Sequence, residues 1–418
     1  MHISDLPPYK RILNTSYTVD FFKSPVEGVS HYFLSHFHAD HYTGLTKSFP
    51  FEIYCSQTTA NLLSLKFKVK TKPLEMFKIY KLNNNDTVMC IDANHCPGAV
   101  CFIFNIKNNI HNNYLLHTGD FRFTKLFMHQ IFKLKFSTVF LDNTYEGFRP
   151  FPSQLHSIKR VINVINNLIS KPCLFPIKYV FIFCTYSVGK EKVFLCAGEF
   201  FNKSLRVTKE KMKIYECFDE YTKNKMNEEV KEMVRGIEIE RKEVRSYFKK
   251  GVSVKSSNGV VEEGLSENKG ISMGKVISES KDLEEGYPYP TPYPTPIKPY
   301  PTFNYPTPLS RITTQELPDQ FLIMSTTQIE KNKLNKFLKG IQGSKAIVFC
   351  GTGWKDSIKY FDWVKEDGRV IKKGIEIHYI PYSEHSSSDE LKEFKREVDY
   401  ERIVNTVKNK DMGYDREV

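Results

Sequence analysis

Residues 35–41 read Ser-His-Phe-His-Ala-Asp-His, which places His36, His38, Asp40 and His41 within six positions. Imidazole nitrogens and carboxylate oxygens are donors suited to Zn²⁺, and a catalytic site of this kind keeps a coordination position open for water. His36 and His38, two apart, can face one side of an extended loop, with Asp40 and His41 on the next turn facing an adjacent point. Two further groups fit the same chemistry. His95 lies in Ala-Asn-His-Cys-Pro-Gly-Ala (residues 93–99), and Asp120 lies in His-Thr-Gly-Asp-Phe-Arg (residues 117–122). Each alone is unremarkable, but with the HxHxDH run they compose a ligand set. Asp120 has two oxygens and can bridge two ions. His36, His38 and His95 would then hold one, and Asp40, His41 and a further histidine, best matched by His385, the second. One ion or two stays open. Asp20, in Tyr-Thr-Val-Asp, is a candidate carboxylate for orienting the histidine loop from behind. The nine cysteines form no CxxC pair, so any metal must come from histidine and carboxylate. With no secretory signal at the N-terminus, an odd, scattered set reads as reduced thiols.

The elements that must carry these groups are legible as apolar runs. Residues 31–35, 51–55, 88–92, 100–106, 114–117 and 138–142 read as short strands. They are apolar on both faces, as in sheets packed between layers. The candidate ligands follow several of them directly, where a rigid scaffold places a site. Leu155, Ile158, Val161, Ile162 and Ile165 recur at helical spacing from residue 153. Residues 179–184 then read as a strand and 190–200 as a helix. Between them stands Thr-Tyr-Ser-Val-Gly. A Ser/Gly turn at a helix N-terminus can cradle phosphate through backbone N–H groups, a hydroxyl and the helix dipole. Ser187, Gly189 and Lys190 are therefore expected to hold a terminal phosphate of the substrate. Further on, residues 346–350 and 375–380 read as strands and 388–397 as a helix.

From about residue 219 the composition changes. Residues 222–250 are Lys/Glu-rich and helical in pattern with few core positions, 251–285 are rich in Ser, Gly, Glu and Lys, and 287–308 is a Tyr-Pro/Thr-Pro tract. Proline fixes φ and removes donors, so that tract reads as extended chain. Residues 222–308 are expected to be a low-complexity insert without a packed core, and 287–308 would suit a proline-recognising domain. The net charge of +12, from 60 Lys plus Arg against 48 Asp plus Glu, favours a polyanionic partner. No apolar run is long enough to span a membrane, and the N-terminus lacks the apolar core of a secretory signal.

Taken together these segments resemble a known family. The run YTVDF (17–21), YFLSHFHADHYTGLTKSF (32–49), NHCPGAV (94–100), HTGDFR (117–122), LDNTY (141–145), FPSQ (151–154), TYSVGKEKVF (185–194), GTGW (351–354) and IPYSEHSS (380–387) is similar to the β-CASP branch of the metallo-β-lactamase superfamily. Within it the likeness is to the Artemis-related DNA interstrand cross-link repair nucleases. The resemblance implies an α/β fold: a four-layer αββα sandwich with an inserted β-CASP α/β lobe, the sandwich formed by residues 1–145 and 356–418 and the lobe by 146–355. It implies a zinc-dependent 5′-to-3′ exonuclease, monomeric, acting in the nucleus on DNA with a 5′-phosphate. Asp142 and His385 match active-site positions of the family, giving Asp40, Asp120, Asp142 and His385 as candidate catalytic residues. Val407 falls where DNA-directed members carry Val and RNA-processing members His. An RNA-processing nuclease on the same scaffold and a non-catalytic DNA-end-binding scaffold are the alternatives. The insert at 222–308 departs from the family pattern.

Overall fold

The computed structural model describes residues 1–107, 112–131, 133–170, 178–251, 307–315, 321–325, 344–351, 369–372 and 375–407. Strands β1 (Tyr17–Val19), β2 (His31–Phe33), β3 (Ile53–Ser56) and β4 (Thr71–Leu74) form a parallel sheet in that order. Strands β5 (Ile79–Lys81), β6 (Thr87–Asp92), β7 (Val100–Lys107), β8 (Asn112–His117) and β9 (Lys135–Leu141) belong to a second, mixed sheet. The two sheets face one another because their side chains alternate. Val100, Phe102, Phe104 and Ile106 of β7 point inward against Tyr17, Val19 and Phe33, while Cys101 and Ile103 point outward. Phe33 sits at the centre, its ring 5.3 Å from that of Phe102 and 5.0 Å from that of Phe104.

Helix α1 (Gln57–Lys66) starts from a Ser56 cap whose side chain accepts from Thr59 N–H, and buries Leu62 and Leu63 on the outer face of the first sheet. Helix α2 (Lys125–Gln130) packs Phe127 on the outer face of the second. This is the expected αββα arrangement.

Helix α3 (Gln154–Ile169) leads into a third sheet. It comprises β10 (Lys178–Thr185), β11 (Leu205–Arg206), β12 (Ile312–Thr313), β13 (Phe321–Ser325), β14 (Ser344–Gly351), β15 (Arg369–Lys372) and β16 (Ile375–Ile380), in the order β12-β11-β13-β10-β14-β16-β15. Helix α4 (Glu191–Phe200) covers one face, and α5 (Lys209–Glu216) and α6 (Glu220–Gly251) follow. The chain then returns to the second sandwich sheet. Helix α7 (Ser388–Glu397) opens with a Ser387/Glu390 capping box, and β17 (Asp399–Tyr400) and β18 (Ile403–Asn405) both pair with β9.

Two expected boundaries need correction. The lobe does not end at residue 355, because β16 pairs in parallel with β14 from Ala346↔Ile375 to Gly351↔Ile380. An apolar run such as 375–380 reads alike whichever sheet receives it. The insert expected without a core over 222–308 also begins too early. Met226, Val230, Val234 and Ile237 are buried along one stripe of α6, at spacings of four, four and three. Dense Lys and Glu on the other faces hide that stripe from composition. The Tyr-Pro/Thr-Pro tract up to residue 306, Trp354 and the chain after 407 lie outside the described residues. No helix among the described residues is long and apolar enough to cross a membrane.

Phe33→Ala is expected to lower the stability of the sandwich by about 4 kcal/mol through lost burial and an unfilled cavity, read as an earlier midpoint in denaturant.

Candidate metal centre

The topology gathers the expected ligands at one edge. Strands β6 and β8 run the same way because each is antiparallel to β7, and β9 is parallel to β8. Their C-terminal ends therefore release His95, Asp120 and Asp142 on one side. The loop after β2 brings His36, His38, Asp40 and His41 to the same place, and the segment after β16 brings His385. Val100 N–H donates to the Ser35 carbonyl at 3.0 Å, tying the His95 loop to the histidine loop. Gly119 adopts φ +54°, and a Cβ there would meet Ser35 Cβ at 2.6 Å, so only glycine allows this closeness before Asp120.

His36 Nε2 lies 2.9 Å from His38 Nδ1, and His95 Nε2 lies 3.1 Å from that same atom. Around Asp120 Oδ2 stand His41 Nε2 at 3.2 Å, His36 Nε2 at 3.6 Å, and His95 Nε2 and His385 Nε2 at 3.8 Å. Asp40, mostly exposed, reaches to 3.6 Å from His41 Nε2. All seven expected ligands thus converge.

The outer nitrogens decide what the inner ones can do. His38 Nε2 faces the Val188 carbonyl and His95 Nδ1 faces the Glu384 carbonyl, each at 2.9 Å. A carbonyl only accepts, so each ring carries its proton there. His36 Nδ1 lies 2.9 Å from Ser35 Oγ, which donates its own proton to Asp20. His36 must therefore donate outward too. Three inward lone pairs are left, those of His36 and His95 2.9 and 3.1 Å from that of His38, contacts no hydrogen bond among them can satisfy. They suit a shared cation, since bonds of about 2.0 Å in a tetrahedron put two nitrogens about 3.3 Å apart. His41 Nδ1 and His385 Nδ1 are likewise backed, by Asp20 at 2.7 Å and Asp142 at 2.8 Å.

Electrostatics divides the rings. Burial, with neighbouring imidazoles, pushes His36 and His95 well below the ordinary histidine value and lowers His38. For Asp120, burial acts upward, but His41 and His385 hold it well below the carboxylate range. Burial also opposes a charge on His41 and His385. Asp120 and Asp20 nevertheless raise His41 well above its usual value, and Asp142 and Asp120 raise His385 to about 9. Without an ion, these two rings carry the positive charge that balances the carboxylates.

Asp142 takes a place different from a ligand's. Its Oδ2 faces His385 and accepts from Phe121 N–H, and its Oδ1 accepts from Thr144. It fixes the ring behind the centre.

The turn expected to cradle phosphate is arranged otherwise. Gly189 N–H donates to the Glu191 carboxylate at 2.8 Å, Lys190 N–H to Glu384 Oε1 at 2.6 Å, and Lys190 Nζ to the Gly351 carbonyl. Two buried carboxylates already fill the helix N-terminus, and of the three expected residues Ser187 alone is exposed. Gly189 is required at φ +113°, where a Cβ would meet Glu384 Oε2 at 2.8 Å. Burial and Glu191 push the Glu384 carboxyl up to about 7.

The sequence reading missed Glu384, whose only signal was its place beside His385. It also missed Lys211, whose Nζ donates to the Tyr186 and Ser187 carbonyls at 2.7 Å each. Nothing in a Lys-rich helix marks that lysine.

The chain is similar to known proteins along most of its length. Residues 306–411 match the family described as DNA repair metallo-beta-lactamase. The chain carries that family's pattern over this stretch. It is 36% identical over 226 residues to the chicken (Gallus gallus) DNA cross-link repair 1A protein, covering 53% of this chain and 22% of that protein. It is 30% identical over 414 residues to DNA ligase 6 of Arabidopsis thaliana, covering 96% of this chain and 23% of that protein. To the 5' exonuclease Apollo of zebrafish (Danio rerio) it is 33% identical over 195 residues, 43% of this chain and 32% of that protein. The chain thus spans well under half the length of these curated relatives. A metallo-β-lactamase fold and this His/Asp cluster together imply a divalent metal.

Metal binding must displace the protons of His41 and His385. Below about pH 9 the His385 ring is protonated, so affinity for a divalent ion should rise with pH and level off above that value for this ring. Calorimetry in two buffers of different ionisation heat should show proton release at pH 7. Asp142→Asn removes the acceptor behind His385 and should weaken binding at that position about 10–100-fold, measured by competition with a chelator.

Proposed function

We propose that this chain is a zinc-dependent phosphodiesterase that removes nucleotides 5′-to-3′ from DNA ends bearing a 5′-phosphate, in the nuclear repair of cross-linked or damaged DNA. The observation that carries it is the convergence of His36, His41, His95 and His385 on Asp120, with His38 against His36 and His95, each ring backed by its own acceptor. The relatives support the substrate: two are named for DNA cross-link repair or DNA ligation, and a third for 5' exonuclease activity.

His36, His38 and His95 would hold one ion, and Asp40, His41 and His385, together with Asp120, would hold a second. Zinc held there would lower the pKa of water near neutral pH and offset phosphoryl charge. Asp40, on the exposed side of the cluster, orients the attacking water. Asp20 and Asp142 keep His41 and His385 in the tautomer that faces inward. Ser187 is the member of its turn free to donate to a terminal phosphate; Gly189 and Lys190 build the turn. The net charge of +12 draws the polyanion. We place the chain as a monomer.

Purified protein should shorten a 3′-labelled, 5′-phosphorylated DNA strand from its 5′ end. Chelator should stop the reaction and zinc restore it. Asp40→Ala should abolish turnover while leaving the fold unchanged by circular dichroism. Equal digestion of a matching RNA, or turnover surviving Asp40→Ala, would contradict the assignment.

A further inference from the structure

Cys184 and Cys350 stand side by side in the sheet of the lobe. Strands β10 and β14 pair in parallel, and these two residues are in register. Cys184 shares its face of the sheet with Val180 and Ile182, and Cys350 shares that face with Ala346 and Val348. Both are free thiols, and their sulfurs lie 2.7 Å apart. Neighbouring strands run about 4.8 Å apart, inside the range of roughly 4.4–6.8 Å that a disulfide spans between Cα atoms. Other thiols turn to the backbone instead. Cys101 donates to the Thr118 carbonyl at 3.1 Å, and Cys217 to the Lys213 carbonyl at 3.2 Å.

The two thiols differ in their surroundings. Cys184 is buried, and Cys350 is half-buried. Burial, with the Cys350 sulfur as hydrogen-bond partner, pushes the Cys184 thiol well above its ordinary value, against the pull of the Lys190 ammonium. Cys184 therefore keeps its proton and donates it to Cys350. Cys350 accepts that bond and is the member a small solute reaches more easily. The pair also joins distant parts of the chain, 166 positions apart. Strand β10 precedes the low-complexity stretch and β14 follows it. Just beyond Cys184 the chain enters the turn whose Val188 carbonyl backs His38, and just beyond Cys350 the Gly351 carbonyl holds Lys190 Nζ.

We propose that Cys184 and Cys350 form an oxidation site, at which hydrogen peroxide joins β10 to β14 through a reversible disulfide. The Cys350 sulfur attacks one peroxide oxygen, the O–O bond breaks, and a sulfenic acid and one water result. The Cys184 sulfur then attacks the Cys350 sulfur. The S–S bond forms, the S–O bond breaks, and a second water leaves. Two thiols are oxidised by two electrons, one peroxide is reduced, and both thiol protons end in water. The neighbouring Cys184 spares Cys350 from irreversible oxidation, and a thiol reductant restores the pair. The bond closes a loop that contains the whole low-complexity stretch, so it restricts the unfolded chain strongly.

The test uses the full chain and does not depend on cleavage of any substrate. Reduced protein is treated with hydrogen peroxide, denatured in N-ethylmaleimide and digested for mass spectrometry. Cys184 and Cys350 should escape alkylation and appear in one joined peptide that dithiothreitol separates. Cys184→Ser should leave a sulfenic acid at Cys350, trapped by dimedone, whereas Cys350→Ser should leave Cys184 unlabelled. Oxidised wild type should melt at a higher temperature than reduced wild type, and peroxide should not raise the melting temperature of Cys350→Ser. The proposal is overturned if both thiols remain open to alkylation after peroxide, if Cys350 joins a different cysteine, or if dimedone labels Cys184 in Cys350→Ser.

Discussion

Lone pairs cannot face lone pairs, and the structure depends on the way this constraint is imposed. Ser35, the Val188 carbonyl, Asp20, the Glu384 carbonyl and Asp142 each take an outward N–H from one imidazole. Every ring is left with its second nitrogen turned inward. Burial then keeps three of the rings neutral, while Asp120 with Asp20 draws a proton onto His41, and Asp142 with Asp120 draws one onto His385. The protein has thus already met the cost of orienting and desolvating the ligands in the absence of a cation.

Two of those five acceptors come from outside the sandwich. The Val188 carbonyl sits in the turn before α4, and Glu384 follows the last long strand of the lobe. Lobe and sandwich are therefore joined at the histidines themselves. The same joint is bolted elsewhere. Buried Arg122, two residues past Asp120, donates to the Ser383 carbonyl at 2.7 Å and pairs with Glu390 of α7 at 2.9 Å. Gln154 of α3 reaches the same carbonyl. On the other flank Lys225 of α6 binds Asp92 at the end of β6, and Glu229 pairs with both Lys225 and Lys192 of α4. Charges buried or half-buried in this way are weak sources of net stability but strict about geometry, since a shift strands one of them without a partner.

The candidate site was legible because its ligands follow short apolar strands within a few residues. HxHxDH, His95 and Asp120 carry local signatures, and the strand ends place them. His385 is remote in sequence, but its motif sits between a strand and a helix cap. What could not be read was non-local. The β14–β16 register, which extends the lobe to Ile380, is a pairing between segments that look alike in either sheet. The α6 stripe is four apolar residues among many charges. The turn at 187–190 looked like an open cradle because sequence gives its donors but not the two carboxylates, Glu191 and Glu384, that reach them.

That occupied turn changes what the lobe contributes. A helix N-terminus left open would attract an anion directly. Here Glu384 closes it and, through its own backbone carbonyl, fixes His95. One residue therefore couples the start of α4 to a candidate ligand, and Gly189 must remain without a side chain for the coupling to exist. The Val188 carbonyl does the same for His38 from within the turn, and Lys211 clamps the two carbonyls before it. The lobe acts on His38 and His95 through backbone atoms, whose positions do not vary with rotamer. A centre positioned this way tolerates variation in the side chains around the turn, provided that the chain's path through Val188, Gly189 and Lys190 is kept.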